Sequence, residues 1–122
     1  MGGPFVEDII EFIDERRLRV NGIGRPKEIE LPEEVINWLK RSSYARIAVK
    51  ELVTHYKFRT RLTHPGAIRS LLLLLYARAS RVAPYRVARR FGVSPEQLYR
   101  LERGLRRDGL FEYVLNILSL PE

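Results

Sequence analysis

The chain of 122 residues contains no cysteine, which excludes disulfide bonds, thiolate metal sites and cysteine nucleophiles. It also lacks a long apolar run, because the block around Leu71–Leu75 is far shorter than the ~20 residues that a membrane span needs. The N-terminal segment carries acidic residues where a secretory signal would carry bases. We therefore expect a cytoplasmic, nucleoid-associated protein rather than a membrane or secreted one.

Patterns typical of catalysis are missing as well. The two histidines, His55 and His64, have no acidic neighbours at metal-binding spacing, and the chain has no glycine-rich phosphate loop or nucleophile elbow. The sequence therefore predicts no catalytic residue, no metal and no cofactor, and a protein that is not an enzyme.

Positive charge is abundant and segregated along the chain. The net charge of +7 divides into −4 for residues 1–39, +14 for residues 40–107 and −3 for residues 108–122. Of the 22 basic residues 18 are arginine, whose planar fork fits phosphate oxygens and guanine edges. A thermophile or a GC-rich genome also favours arginine, but does not explain why the charges are segregated. The pattern predicts a polyanionic partner.

Helical periodicity dominates the chain. Residues 5–20 predict an amphipathic helix, with Val6, Ile9, Ile10 and Ile13 on one face and acids on the other. Further helices are predicted from Pro32, over 44–58 and over 66–80, with a short extended piece at 28–31 and a basic loop at 59–64. The tail after Leu110 fits either a helix or one strand, and we favour a helix.

These elements predict an all-α or nearly all-α fold, a multi-helix domain that contains a helix-turn-helix and has a winged-helix-like arrangement as a variant. We expect residues 1–64 to form an N-terminal helical extension packed on the core. Residues 65–122 would form the helix-turn-helix region of a chain that is one compact domain overall.

The segment Tyr85–Arg103 has the spacing of two helices that cross steeply through a short turn. Ala88 is small where the second helix would pass over it, and Gly92 suits a turn with positive φ. Ser94 would cap the second helix and Pro95 fits its first turn. The residues predicted to face the shared core are Val87, Phe91, Val93, Leu98 and Leu101.

This arrangement resembles the helix-turn-helix of bacterial and archaeal transcription regulators. The phrase "GVSPEQLYRLERGLRRDGL" is similar to the winged-helix pattern in which a recognition helix runs into Asp-Gly-Leu, and the resemblance covers about residues 65–111. Two features depart from the pattern: Gly104 lies inside the helix, which suggests a bend or a close contact, and no clear wing follows Leu110.

The resemblance implies a recognition helix at about 95–107 in the major groove of double-stranded DNA. Its base-contacting candidates are Glu96, Gln97, Tyr99, Arg100 and Arg103. The phosphate-contacting candidates are Arg81, Arg86, Arg89, Arg90, Ser94, Arg106 and Arg107. A second basic group consists of Lys50, Lys57, Arg59, Arg61 and Arg69, which either touches flanking DNA or is neutralised by the acids of residues 5–20.

The function predicted from the sequence is sequence-specific or architectural binding of double-stranded DNA, with transcription regulation as the role. A homodimer is expected, with the helix at 5–20 and the tail at 110–120 as candidate dimer surfaces. The alternative is a helix-turn-helix adaptor subunit of a replication, transcription or RNA-protein assembly, which would dock a protein partner through its acidic N-terminal helix. The sequence leaves the choice between DNA and RNA open.

Overall fold

The computed structural model describes residues 9–122 of the chain. A three-stranded antiparallel sheet comes first, and six α-helices follow it within these residues. The strands are β1 (Ile10–Asp14), β2 (Arg17–Val20) and β3 (Lys27–Glu30). The helices are α1 (Glu33–Arg41), α2 (Ser43–Thr54), α3 (Pro65–Ala79), α4 (Pro84–Arg90), α5 (Pro95–Arg107) and α6 (Phe111–Leu118), with a 3-10 helix at Phe58–Arg61 between α2 and α3.

The predicted all-α fold is wrong because a sheet occupies most of the segment that was expected to be the first helix. Residues 5–8 of that predicted helix lie outside the described residues, but β1 and β2 replace it from Ile10 onward. The acidic N-terminal segment was expected to be a helix that docks a partner, but from Ile10 to Val20 it forms a β-hairpin. The predicted extended piece at 28–31 is confirmed as β3.

Alternation of side chains explains why these residues form a sheet. β2 is the central strand, and its Leu18 lies opposite Phe12 of β1 and Ile29 of β3. On the solvent face of the same strand, Arg19 lies opposite Glu11 and Glu28. One face is thus apolar and the other carries cross-strand charge pairs, which is the pattern that stabilises a half-buried antiparallel sheet.

Helix α3 forms the centre of the core. Its residues Leu71–Leu75 are buried without a break, as expected for a helix that other elements cover on all sides. It packs against β3, α1, α4, α5 and α6. The helix-turn-helix and the sheet therefore share one hydrophobic core, which also includes Phe58 of the 3-10 helix.

Most helix boundaries follow local signals in the sequence. Proline occupies the first turn of α3, α4 and α5, and Pro32 is the N-cap of α1. Ser42 accepts a hydrogen bond from the backbone N–H of Ala45 and so caps α2. The predicted helix over 44–58 ends earlier, at Thr54, and the predicted basic loop is partly the 3-10 helix.

The tail after Leu110 is helical. Phe111–Leu118 form α6, so the preference for a helix over a strand is confirmed. The chain accordingly has no wing after α5, and its sheet precedes the helix-turn-helix instead. No helix of residues 9–122 has the length and apolar character needed to cross a membrane.

Candidate nucleic-acid interface

The turn between α4 and α5 has the geometry that the sequence predicts. Gly92 has a φ of 69°, a conformation that glycine adopts at little cost. The N–H of Val93 donates to the carbonyl of Ala88 (2.9 Å) and the N–H of Gly92 to that of Arg89 (3.4 Å). These two bonds form a Schellman motif, which ends α4 and sets the direction in which α5 begins.

Helix α5 has one buried face and one exposed face. Leu98, Leu101 and Leu105 are buried against the core, which confirms the predicted packing of Leu98 and Leu101. Val87 and Ala88 of α4 are buried too, and Phe91 and Val93 pack against the core while remaining partly exposed.

The opposite side of α5, here named the outward face of α5, consists of the exposed residues Glu96, Arg100, Arg103 and Arg107. Their spacing of four, three and four residues aligns them along the helix.

The other two base-contacting candidates flank this face. Gln97 is exposed, but its side-chain oxygen accepts a hydrogen bond from the hydroxyl of the buried Ser70 (3.1 Å). The amide group of Gln97 can therefore donate to a partner while its oxygen is occupied. Tyr99 is half-buried.

Several phosphate-contacting candidates are exposed near the start of α5. Arg86, Arg89 and Ser94 lie on α4 or in the turn, and Arg81 lies just after α3. The hydroxyl of Ser94 makes no capping bond to α5, contrary to the expected cap. The guanidinium of Arg86 lowers the pKa of the exposed Tyr85 by hydrogen bonding and by its charge.

Two further candidates are held by neighbouring side chains. Arg90 forms an ion pair with Glu34 of α1 (2.7 Å), and that carboxylate also accepts a hydrogen bond from the hydroxyl of Tyr76. The guanidinium of Arg106 lies 3.8 Å from the ring centroid of Phe111. These contacts orient both arginines within the domain, so neither is as free as Arg89 to contact a phosphate.

A buried ion pair that sequence reasoning missed joins α5 to the core. Glu102 accepts a hydrogen bond from Nε of Arg78 at the end of α3 (2.7 Å), and only 8% of the Glu102 side chain is exposed. A signal existed in the sequence, because helical spacing places Glu102 beside the buried Leu98 and Leu105. A carboxylate on a buried face predicts a partner with opposite charge.

The second basic group is divided by the fold. Arg61 pairs with Asp108 at the end of α5 (3.4 Å), and Nε of Arg69 donates to the carbonyl of Glu30 (3.0 Å). Lys57 and Arg59 are exposed. Neutralisation by the N-terminal acids was one of two alternatives for this group, and it does not extend to Glu11 and Asp14, which pair with arginines of β2.

Because Gly104 has no side chain, the 3-10 helix can approach α5 closely. A Cβ at this position would lie 2.8 Å from Nε of Arg61 and 2.9 Å from its Cδ. The glycine therefore admits the Arg61 side chain against the helix. Of the two causes expected from the sequence, a close contact is confirmed.

A groove of about 610 Å³ runs along the side of α5. It is bounded by the 3-10 helix, the start of α3 and the flank of α5, and its lining includes Thr60, Arg61, His64, Ser70, Gln97 and Arg100. The basic surface thus continues from the outward face of α5 towards the 3-10 helix.

The chain was compared with protein-family models, curated proteins and solved structures, and none of the three comparisons finds a match. Over residues 9–122, no group of three or more histidine, aspartate or glutamate side chains is arranged to hold a metal ion.

Proposed function

We propose that this protein binds double-stranded DNA through α5 and acts as a transcription regulator. The observation that carries the proposal is the outward face of α5, where Arg100 and Arg103 are exposed on a helix that is anchored on its other side. Neither arginine forms an ion pair with a described residue. A helix of this kind can enter a major groove and present its side chains to base edges.

Different residues would perform different parts of the binding. Arg100 and Arg103 are suited to guanine, Glu96 to the amino group of cytosine, and Gln97 can donate through its amide group. Arg86, Arg89 and Ser94, which are exposed around the turn, would contact phosphates and orient the protein.

The contacts that hold α5 in place lower the free-energy cost of ordering the helix on binding. The Schellman turn at Gly92 and the buried pair of Glu102 with Arg78 hold the helix in place before any partner arrives. Because binding would require little reordering of the backbone, more of the contact energy is available for affinity.

The first test is a gel shift with random duplex DNA, single-stranded DNA and RNA at 50 and 200 mM salt. Contact with six to ten phosphates would lower affinity for duplex about 10³- to 10⁵-fold over this interval. A binding constant for duplex that does not change with salt would contradict the proposal.

Three variants separate base contacts from phosphate contacts. Arg100→Ala should relax sequence preference in duplexes selected from a random pool, since one bidentate contact discriminates by about 1–3 kcal/mol. Arg89→Ala should weaken binding to all sequences alike and reduce the salt slope by about 1. Arg25→Ala, an exposed arginine in the loop before β3, is the matched control and should leave binding unchanged.

A homodimer would extend the contact to two half-sites about one turn of DNA apart. The tail at 110–120 is the candidate surface, because the large apolar side chain of Leu120 is exposed just after α6. A sizing column run beside the gel shift checks this, and a monomer that binds RNA or nothing would favour the adaptor role over the regulator.

A further inference from the structure

Tyr56 is the most exposed of the large hydrophobic side chains in the described residues. It follows the end of α2, and 71% of its surface is accessible to solvent. The helix predicted over 44–58 would include Tyr56, and this is wrong because α2 ends two residues earlier. The Tyr56 side chain is therefore available to contact a binding partner.

The ring of Tyr56 belongs to a preformed stack. It lies against the imidazole of His55, with 5.0 Å between ring centroids and an interplanar angle of 21°. Nδ1 of His55 accepts hydrogen bonds from the backbone N–H groups of Lys57 (3.2 Å) and Phe58 (3.4 Å). Phe58 is fully buried, so this turn is anchored in the core and the stack is oriented before binding.

The sequence segment that contains the stack carries positive charges and no negative ones. Residues 54–64 contain no acidic residue. Nζ of Lys57 lies over the ring of Tyr56, 5.7 Å from the ring centroid, and Arg59 is exposed two residues further along the chain. A planar aromatic surface with cations beside it complements a nucleobase together with its phosphates.

The 3-10 helix that follows the stack in the chain lines the groove beside α5. The hydroxyl of Thr60 donates to the carbonyl of Lys57 (2.9 Å), and Thr60 lines the groove together with Arg100. Thr60 is four positions after Tyr56 in the chain, and such a segment spans at most ~14 Å even when it is fully extended. A strand that passes α5 could therefore reach Tyr56.

We propose that Tyr56 is a binding site for an unpaired nucleobase, which stacks on the tyrosine ring while Lys57 and Arg59 bind the adjacent phosphates. This inference deepens the proposed nucleic-acid function and rests on it. The site would let the protein favour a duplex that carries a single-stranded extension, because a paired base cannot present its face to the ring.

The test compares a blunt duplex with the same duplex carrying a four-nucleotide overhang of either DNA or RNA, by fluorescence anisotropy at constant salt. The intact chain should bind the better of the two overhang probes about 5- to 150-fold more tightly than the blunt duplex, the range expected for stacking of one base. Tyr56→Ala should abolish this preference, whereas Tyr56→Phe should retain it because the stacking ring remains.

Tyr113→Ala is the matched control, since Tyr113 is also an exposed tyrosine but lies on α6 beside Glu51. It should keep the preference for the overhang. Thermal unfolding of all variants checks that each is folded. Comparison of the DNA and RNA overhangs identifies which strand the site accepts.

The outcomes separate this inference from the proposed function. Duplex binding without any gain from an overhang, or a gain that survives Tyr56→Ala, would overturn the nucleobase site and leave the role of α5 standing. Tyr56-dependent binding of the overhang without binding of the blunt duplex would overturn the role of α5 instead. Absence of binding to every probe would overturn both.

Discussion

The side chain of Arg61 lies against the backbone of Gly104, in the last turn of α5. Their closest approach leaves no room for a methyl group, because a Cβ on residue 104 would be 2.8 Å from Nε of Arg61. The same guanidinium pairs with Asp108, one turn further along α5 (3.4 Å). The contact explains a glycine that would otherwise weaken a helix interior.

We predict that Gly104→Ala barely changes stability alone but stabilises the chain when Arg61 is absent. Alanine gains about 1 kcal/mol of helix propensity over glycine, but here it displaces Arg61 from Asp108. Urea unfolding of Gly104→Ala, Arg61→Ala and the double variant checks this. In the Arg61→Ala background, the substitution at 104 should add about 1 kcal/mol, and equal effects in both backgrounds would contradict the steric account.

Substitutions at Arg78 and at Glu102, which form an ion pair, should lower the free energy of unfolding by different amounts. Arg78→Ala leaves a buried carboxylate without its partner, which typically costs about 3–5 kcal/mol. Glu102→Gln should cost less, because 30% of the Arg78 side chain is exposed and its charge can be solvated. Urea unfolding measures both, with Arg89→Ala as an exposed control that should change stability by less than about 0.5 kcal/mol. A larger loss for Glu102→Gln would show that the burial argument is wrong.

Arg81→Gly should stabilise the protein. Arg81 has a φ of 57° just after α3, where its N–H bonds to the carbonyl of Arg78 in the manner of a helix C-cap. Glycine adopts this conformation without strain, so we expect a gain of about 0.5–1 kcal/mol in thermal or urea unfolding. Ser80→Gly is the matched control, since Ser80 has right-handed helical angles and should gain nothing from glycine.

Asp14 should make stability depend on acid pH. The backbone N–H of Arg16 donates to its carboxylate, and this bond and the Arg17 side chain lower its pKa below 3.8. A carboxyl group with a lowered folded-state pKa stabilises the fold at higher pH and loses that contribution as the pH falls from 3.8 through the lowered value. Urea midpoints measured between pH 6 and pH 2 should fall less steeply for Asp14→Ala than for the intact chain. Identical pH profiles would contradict the prediction.

The helix-turn-helix was predictable because its signals are local. Gly92 takes the positive φ that its place in the turn requires, and the predicted recognition helix at about 95–107 is observed at Pro95–Arg107. Proline in a first turn and glycine after a last turn act within a few residues of themselves. The partition of α5 into a buried face and an exposed face follows from the same short-range periodicity.

Residues 10–20 were mispredicted because their pattern fits two structures. Ile9, Ile10 and Ile13 have helical spacing, while Leu18 and Val20 alternate as in a strand. The choice depends on β3, since β2, which pairs with β1 on one edge, gains a second hydrogen-bonding partner and an apolar neighbour in Ile29 only when the chain returns. A window of local sequence does not contain that partner.

By itself, the sequence determined where most of the later helices begin, which residues of α5 are apolar, and that positive charge is concentrated between residues 40 and 107. These properties depend on backbone preferences and composition over a few neighbouring residues. Only the tertiary structure decided that residues 10–30 form a sheet, that Arg61 occupies the space over Gly104, that Glu102 is paired with Arg78, and that Tyr56 stands exposed on His55. Each of these outcomes depends on how the backbone folds and on which side chains the fold brings together, and sequence patterns alone do not specify such contacts.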